Sequence, residues 1–226
     1  MRPDVSYAVG NLARFAAAPG DAHVKAARRV LQYLYRTKSL GITYYRESDL
    51  QRNVPMVFEK AKHPLDDGTN KTQVFADSDY AADESRRSTM GGIIIQNGGP
   101  ISWFSVLGKT VALSTCEAEI NAAVMAAKDA IHIGRLIHDL GLNHDESPIQ
   151  IAEDNSAAIS QAAGGIRAVR KAKHYEVRLR FLQELVVQKA IEFVYCSTGI
   201  QLADLLTKPL LPDRHTALTN ALLFSA

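Results

Sequence analysis

Four carboxylates in this 226-residue chain stand where one metal site would place them if it were taken apart along the sequence. Asp77 follows the apolar run Val74–Phe75–Ala76, Asp154 follows Ile149–Glu153, Glu119 opens a long amphipathic stretch, and Asp204 sits in Gln201–Leu206. No two are sequence neighbours, so only a fold could gather them. An all-oxygen ligand set suits hard Mg2+ or Mn2+, and two such ions can clamp an in-line displacement at phosphorus. The chemistry indicated is phosphodiester hydrolysis. Clustered carboxylates repel one another and resist ionisation; a dication removes that cost.

Each acid has a plainer reading when taken singly. An Asp at a strand end is commonly a turn or helix cap. Asp77 is preferred to Asp79 because it lies nearer the apolar run. Glu117 and Glu119 are two apart on a helix, about 200° around its axis. Glu117 falls three residues after Ser114, the spacing of a capping box. Glu119 borders the apolar stripe beside Ile120, where an acid needs a partner or a metal, so Glu119 is the ligand candidate. Cys116 sits at the helix start, where a thiol pKa can fall, but no His–Asp arrangement accompanies it.

The elements that must position these acids follow from periodicity. Strands are predicted at Gln73–Ala76, Gly92–Gln96 and Ile101–Ser105, with a turn at Asn97–Gly98–Gly99–Pro100. A long helix starts near Cys116 and closes at Gly141. Ile149–Glu153 is apolar enough for a central strand. Helices at Ser156–Ala163 and Tyr175–Gln188, a strand at Ile191–Tyr195 and a short helix at Gln201–Leu206 complete the pattern. Hairpin strands followed by alternating helices and strands predict an α/β domain, a mixed sheet with helices packed on it. Ahead of it, residues 1–46 read as a small, mainly helical segment in which Asp21 can cap a helix. Residues 47–72, with Pro55, Pro64 and Asp66–Asp67–Gly68, read as a linker, 73–212 as the main domain and 213–226 as a tail.

Net charge is only +2, so a polyanion partner must be met by local clusters. Residues 1–46 carry eight Lys or Arg against two Asp. The sharpest cluster is Arg167, Arg170, Lys171, Lys173, Arg178 and Arg180 against Glu176 alone, with His174 and Tyr175 interleaved. Arg167, Arg170, Lys171, Lys173 and His174 are therefore candidate nucleic-acid contacts; a solvated loop and helix face is the alternative. Trp103 and Phe104 read as core. Two cysteines without CxxC spacing argue against a disulfide framework or zinc site and fit a reducing compartment. There is no 18-residue apolar run and no signal-peptide pattern, so neither membrane insertion nor secretion is expected.

From 73 to about 209 the chain resembles the ribonuclease H domain of copia-type long-terminal-repeat retrotransposon Pol polyproteins. The strings that carry the resemblance are Ala76–Ala81 (ADSDYA), Arg86–Thr89 (RRST), Pro100–Trp103 (PISW), Val111–Glu119 (VALSTCEAE), Glu153–Ile159 (EDNSAAI), Lys173–Tyr175 (KHY) and Gln201–Pro209 (QLADLLTKP). Residues 1–45, with Arg2–Gly10 (RPDVSYAVG), resemble the C-terminal end of the reverse transcriptase that precedes it.

The resemblance implies the ribonuclease H-like fold, a five-stranded mixed sheet flanked by helices, and endonucleolytic cutting of the RNA strand of RNA–DNA hybrids, with two Mg2+ or Mn2+ ions on Asp77, Glu119, Asp154 and Asp204. It implies Asn155 at the nucleic acid, a polymerase partner, and a place in the cytoplasm, a virus-like particle or the nucleus. Three departures accompany it. Cys196–Ile200 holds no His, where cellular ribonucleases H carry one before the last acid. Glu153 stands where the family has Cys or another small residue, and either disturbs metal geometry or points away. Ile120 replaces an aromatic. The alternative is a truncated or domesticated remnant that binds nucleic acid with little or no catalysis.

Overall fold

The computed structural model describes residues 2–45, 72–142, 147–164 and 175–225. The candidate contacts Arg167, Arg170, Lys171, Lys173 and His174, and the linker apart from Thr72, lie outside the described residues.

A five-stranded sheet organises the chain, built from β2 (Gln73–Asp79), β3 (Thr89–Gln96), β4 (Gly99–Leu107), β5 (Ile149–Glu153) and β6 (Ile191–Tyr195). Its order is β4-β3-β2-β5-β6: β2, β3 and β4 form an antiparallel meander, and β5 and β6 run parallel to β2. The β3–β4 hairpin turns on Asn97 and Gly98, both at positive φ (54° and 75°), as a two-residue primed turn requires. The parallel connections are helical: α3 (Thr115–Asp139) leads into β5, and α4 (Ser156–Ala163) and α5 (Glu176–Val187) lie between β5 and β6. This strand order with helices on both faces is the α/β ribonuclease H-like fold predicted.

Side-chain alternation gives the sheet two apolar faces. Val74, Ala76 and Ile151 pack with Ile120, Ala123 and Ala127 of α3 and Leu179 and Leu182 of α5. Phe75, Ile93 and Ala152 pack the opposite way, against α6 (Asp204–Thr207) and α7 (Pro212–Leu222), through Leu205, Leu206, Leu218 and Leu222. Residues 213–226, set apart above as a tail, thus supply much of α7, and its Leu218, Ala221 and Leu222 are buried.

The N-terminal segment consists of a 3-10 turn Pro3–Val5, α1 (Ser6–Ala13), α2 (Asp21–Arg36) and a two-residue strand β1 (Leu40–Gly41). Helix α2 starts at Asp21, one residue earlier than a cap there would require; Gly20 is the cap, and its N–H donates to His23 Nδ1 at 3.0 Å. Buried Asp4 accepts two bonds from the Arg2 guanidinium (2.9 and 2.7 Å) and one from the Tyr33 hydroxyl (2.7 Å). This segment meets the rest of the chain at defined points. Trp103 Nε1–H donates to Ser6 Oγ (3.0 Å), His215 Nε2 lies 3.0 Å from the Asp4 carbonyl, and β1 pairs with β7 (Phe224–Ser225).

Leu222→Ala should cost about 2–5 kcal/mol, read from the urea midpoint. An unchanged midpoint would mean that α7 is an appendage and not part of the core.

Candidate metal centre

The acids converge where β5 runs out beside the C-terminal half of β2. Asp77 points with Phe75 toward α6. Glu119 reaches in from the first turns of α3 on the opposite face. Asp154 follows β5 directly. One carboxylate oxygen from each of Asp77, Glu119 and Asp154 lies within 4.8 Å of the other two. The α3 start is set by Ser114, whose Oγ accepts from Glu117 N–H at 3.1 Å. Glu117 bonds back to Leu113 N–H (2.8 Å), one residue before the predicted partner. That leaves Glu119, 7% exposed, on the site side.

Asp204, the fourth predicted acid, is 1% exposed and is held by cations. Lys208 Nζ donates to Asp204 Oδ1 (2.8 Å) and to Asp77 Oδ1 (3.1 Å). Arg214 donates to Asp204 Oδ2 and to the Thr198 carbonyl, and to the Gly199 carbonyl at 3.3 Å. Thr207 Oγ1–H donates to Asp77 Oδ2. Gly91 makes this possible: it pairs with Asp77 across β2–β3, and a Cβ on it would meet Thr207 Cγ2 at 2.6 Å and Leu206 Cβ at 2.8 Å. Gln201, fully buried, donates from Nε2 to the Ala76 (3.0 Å) and Ala152 (3.4 Å) carbonyls, tying together the strand ends that present Asp77 and Asp154.

The site therefore has two unlike halves. At Asp77 and Asp204, protein cations answer the carboxylates. At Glu119, Oε2 is buried with no hydrogen-bond partner among the described residues. Glu153 is fully buried as well; Oε1 accepts from Asn155 N–H (3.1 Å) and Oε2 has no partner. It shares the face of β5 with Ile151, toward α3, and is the strongest charge acting on Glu119. Of the two readings of Glu153, pointing away from the site does not hold.

Burial raises the pKa of both Glu119 and Glu153, and their mutual repulsion with Asp77 and Asp154 adds to this for Glu119. Burial likewise lifts Asp77 to about 6, against the pull of Lys208 and Thr207. Burial would lower the Lys208 ammonium, but Asp77 and Asp204 more than offset it and hold it charged. An orphaned, buried carboxylate oxygen beside two further acids is what an oxygen-seeking divalent ion satisfies, so the residues present fit Mg2+ or Mn2+.

Several functional neighbours escaped the sequence reading. Lys208 lies four residues after Asp204, an ion-pair spacing on a helix, and could have been found. Arg214 sits on another helix beyond two prolines, and nothing local marks it. Where the His is missing, Thr198 Oγ1 donates to Asp154 Oδ2 at 2.8 Å. Asn155, assigned to nucleic acid, caps α4: its Oδ1 accepts from Ala157 and Ala158 N–H (3.0 and 3.1 Å). The Cys116 thiol is pushed up by burial, the reverse of the helix-start effect. Cavities of about 630 and 510 Å³ lie against α1 and α2, away from the acids.

Fold and site define the class: a ribonuclease H-like domain with a carboxylate centre at the ends of its central strands. No family model matches the chain. It is 32% identical over 92% of its length to the Retrovirus-related Pol polyprotein from transposon TNT 1-94 of Nicotiana tabacum, and 31% identical over 92% to that from transposon RE1 of Arabidopsis thaliana. It is also 38% identical, over 58% of its length and 78% of the other's, to the Secreted RxLR effector protein 161 of Plasmopara viticola. Among solved structures, LC11-RNase H1 in complex with RNA/DNA hybrid is similar at a TM-score of 0.47, 14% identical, over 61% of this chain and 94% of that one. The chain belongs to the family of retrovirus-related Pol polyproteins of transposons. It spans 14% and 13% of the two Pol polyproteins' length.

The raised pKa values fix a pH dependence. A carboxyl group whose folded pKa exceeds its unfolded value stabilises the fold below the unfolded pKa, and that stability drains away as pH rises toward the folded one. For Glu119 the loss begins near 4.5. Metal-free protein should therefore melt lower at about pH 8 than at about pH 5, and Glu119→Gln should flatten part of that fall. The check is thermal melting of both proteins in chelator; parallel pH profiles would contradict the assignment.

Proposed function

We propose that this chain is a metal-dependent endonuclease that hydrolyses the RNA strand of RNA–DNA hybrids, working beside the polymerase part of a reverse transcriptase. The observation that carries the reading is the convergence of Asp77, Glu119 and Asp154 within 4.8 Å, with Glu119 Oε2 buried and unanswered. The kinship with Pol polyproteins supports an RNA–DNA hybrid as the substrate. Asp77, Glu119 and Asp154 would hold one ion, and Asp77 with Asp204 a second. Bound there, Mg2+ or Mn2+ would orient and acidify the attacking water and offset charge on the leaving 3′-oxygen.

The protein's own part is positional. Gln201 fixes the strand ends, Thr207 orients Asp77, and Thr198 orients Asp154. Products would carry 5′-phosphate and 3′-hydroxyl ends. Choice of the RNA strand would rest on 2′-hydroxyl contacts and hybrid shape. Arg167, Arg170, Lys171, Lys173 and His174 would grip the backbone. Such a domain would act where reverse transcription occurs, in the cytoplasm, a virus-like particle or the nucleus.

One observation favours a second reading, a hybrid-binding chain that no longer cuts. Both oxygens of Asp204 are already engaged, by Lys208 and Arg214.

The test is cleavage of a labelled hybrid with Mg2+ or Mn2+. Wild type should cut the RNA strand alone. Asp77→Asn and Asp154→Asn should keep the fold and lose at least about a thousandfold in rate. Binding without cutting in either metal would establish the second reading. Replacing Arg170, Lys171 and Lys173 by Ala should weaken hybrid binding and lower the salt slope by about 2–3; an unchanged slope would make the segment a solvated face.

A further inference from the structure

The two halves of the acid site differ in what a divalent ion would meet. At Asp77, Glu119 and Asp154 an ion would find an unpartnered buried oxygen. Between Asp77 and Asp204 it would find the Lys208 ammonium, 3.1 and 2.8 Å from one oxygen of each. Those are the two acids a second ion would share. The second oxygen of each is engaged elsewhere: Asp77 Oδ2 by Thr207, Asp204 Oδ2 by Arg214. An ion entering there must therefore take the oxygens that Lys208 holds.

We propose that Lys208 is a built-in stand-in for the second divalent ion. The unpartnered Glu119 oxygen draws one ion to Asp77, Glu119 and Asp154, where it shares Asp77 with Lys208 or Thr207, and the second binds only by driving the Lys208 ammonium out from between Asp77 and Asp204. This rests on the metal-centre reading above and deepens it, by assigning an order of loading and the residue that imposes it.

The physical grounds are charge and reach. A carboxylate pair facing each other in a largely buried place repels unless a cation lies between them. A monovalent ammonium meets that need in the metal-free protein, and a dication meets it better. Lys carries its charge on a flexible four-carbon stem, and the Lys208 side chain is 28% exposed, so it has a way out into solvent. Arg214 is the fixed part: its guanidinium also binds the Thr198 and Gly199 carbonyls, so it stays on Asp204 Oδ2 while Lys208 moves. Lys208 is thus a positioning residue for metal binding.

The experiment is calorimetric titration of the full chain with MnCl2, without nucleic acid, for wild type, Lys208→Met and Asp77→Asn. Wild type should show one stronger and one weaker ion, and Lys208→Met should tighten the weaker one at least about tenfold while shifting the stronger one clearly less. Lys208→Met should also melt lower than wild type in chelator and recover with Mn2+. Should that variant fail to fold, wild type answers alone. Acetylation of Lys208, followed by mass spectrometry during the same titration, should be slow without ions and accelerate only as the second ion loads. Identical isotherms for wild type and Lys208→Met, or an acetylation rate indifferent to Mn2+, would overturn the proposal while leaving the metal centre standing. If wild type binds no Mn2+ and matches Asp77→Asn, the metal-centre reading falls and this proposal with it.

Discussion

Holding carboxylates where water is largely excluded is the constraint on which this structure depends. A buried, unpaired carboxylate is costly, and its usual escape is protonation. Here Asp77, Glu119, Glu153 and Asp204 are all at most 7% exposed and meet at one end of a sheet. The surroundings answer that charge in two ways. Lys208 and Arg214 neutralise Asp77 and Asp204 directly. Around Glu119 and Glu153 no protein cation among the described contacts does so, and two carboxylate oxygens stay unpartnered. An arrangement that costs stability without a cation and regains it with one fits a centre for divalent metal chemistry.

Much of the surrounding fold serves that end. Parallel pairing of β2 with β5 brings Asp77 and Asp154 out on the same side. Helix α3 crosses one face with its small apolar stripe of Ala123, Ala126, Ala127 and Ala130, which lets it lie close to the sheet and carry Glu119 inward. On the other face, Gly91 admits α6 close enough for Thr207 and Lys208 to reach Asp77. Helix α7 then returns to place Arg214 on Asp204. The last helices are thus the scaffold of the site's cationic half.

The parts of the fold legible in sequence were those with a strong local signal. Ile149–Glu153, Ser156–Ala163 and Ile191–Tyr195 match the strands and helix found, because each is a short apolar or capped run between clear breakers. Strands β2, β3 and β4 run longer than predicted. Most of the extra residues on β2 and β3, Asp77, Ser78 and Asp79 on the one and Thr89 and Gly91 on the other, are polar or Gly and look like loop until cross-strand pairing holds them. Of the four acids the sequence singles out, Asp77, Glu119 and Asp154 come together in the fold, and Asp204 lies beside them through Lys208. Their counter-charges were less legible. Lys208 carries only a four-residue spacing, and Arg214 none. The pairing of Leu40–Gly41 with Phe224–Ser225 was invisible, since two-residue strands at opposite ends of the chain have no periodicity to read. Glu153 was ambiguous for a related reason: only the register of β5 against its neighbours fixes which face it takes.

The most direct test of the central claim is anomalous scattering from crystals of the full chain grown with Mn2+. The account predicts a Mn2+ peak bonded to Asp77, Glu119 and Asp154, lost in Asp77→Asn crystals. Density showing no ion there, with Glu119 paired to a protein cation instead, would contradict it.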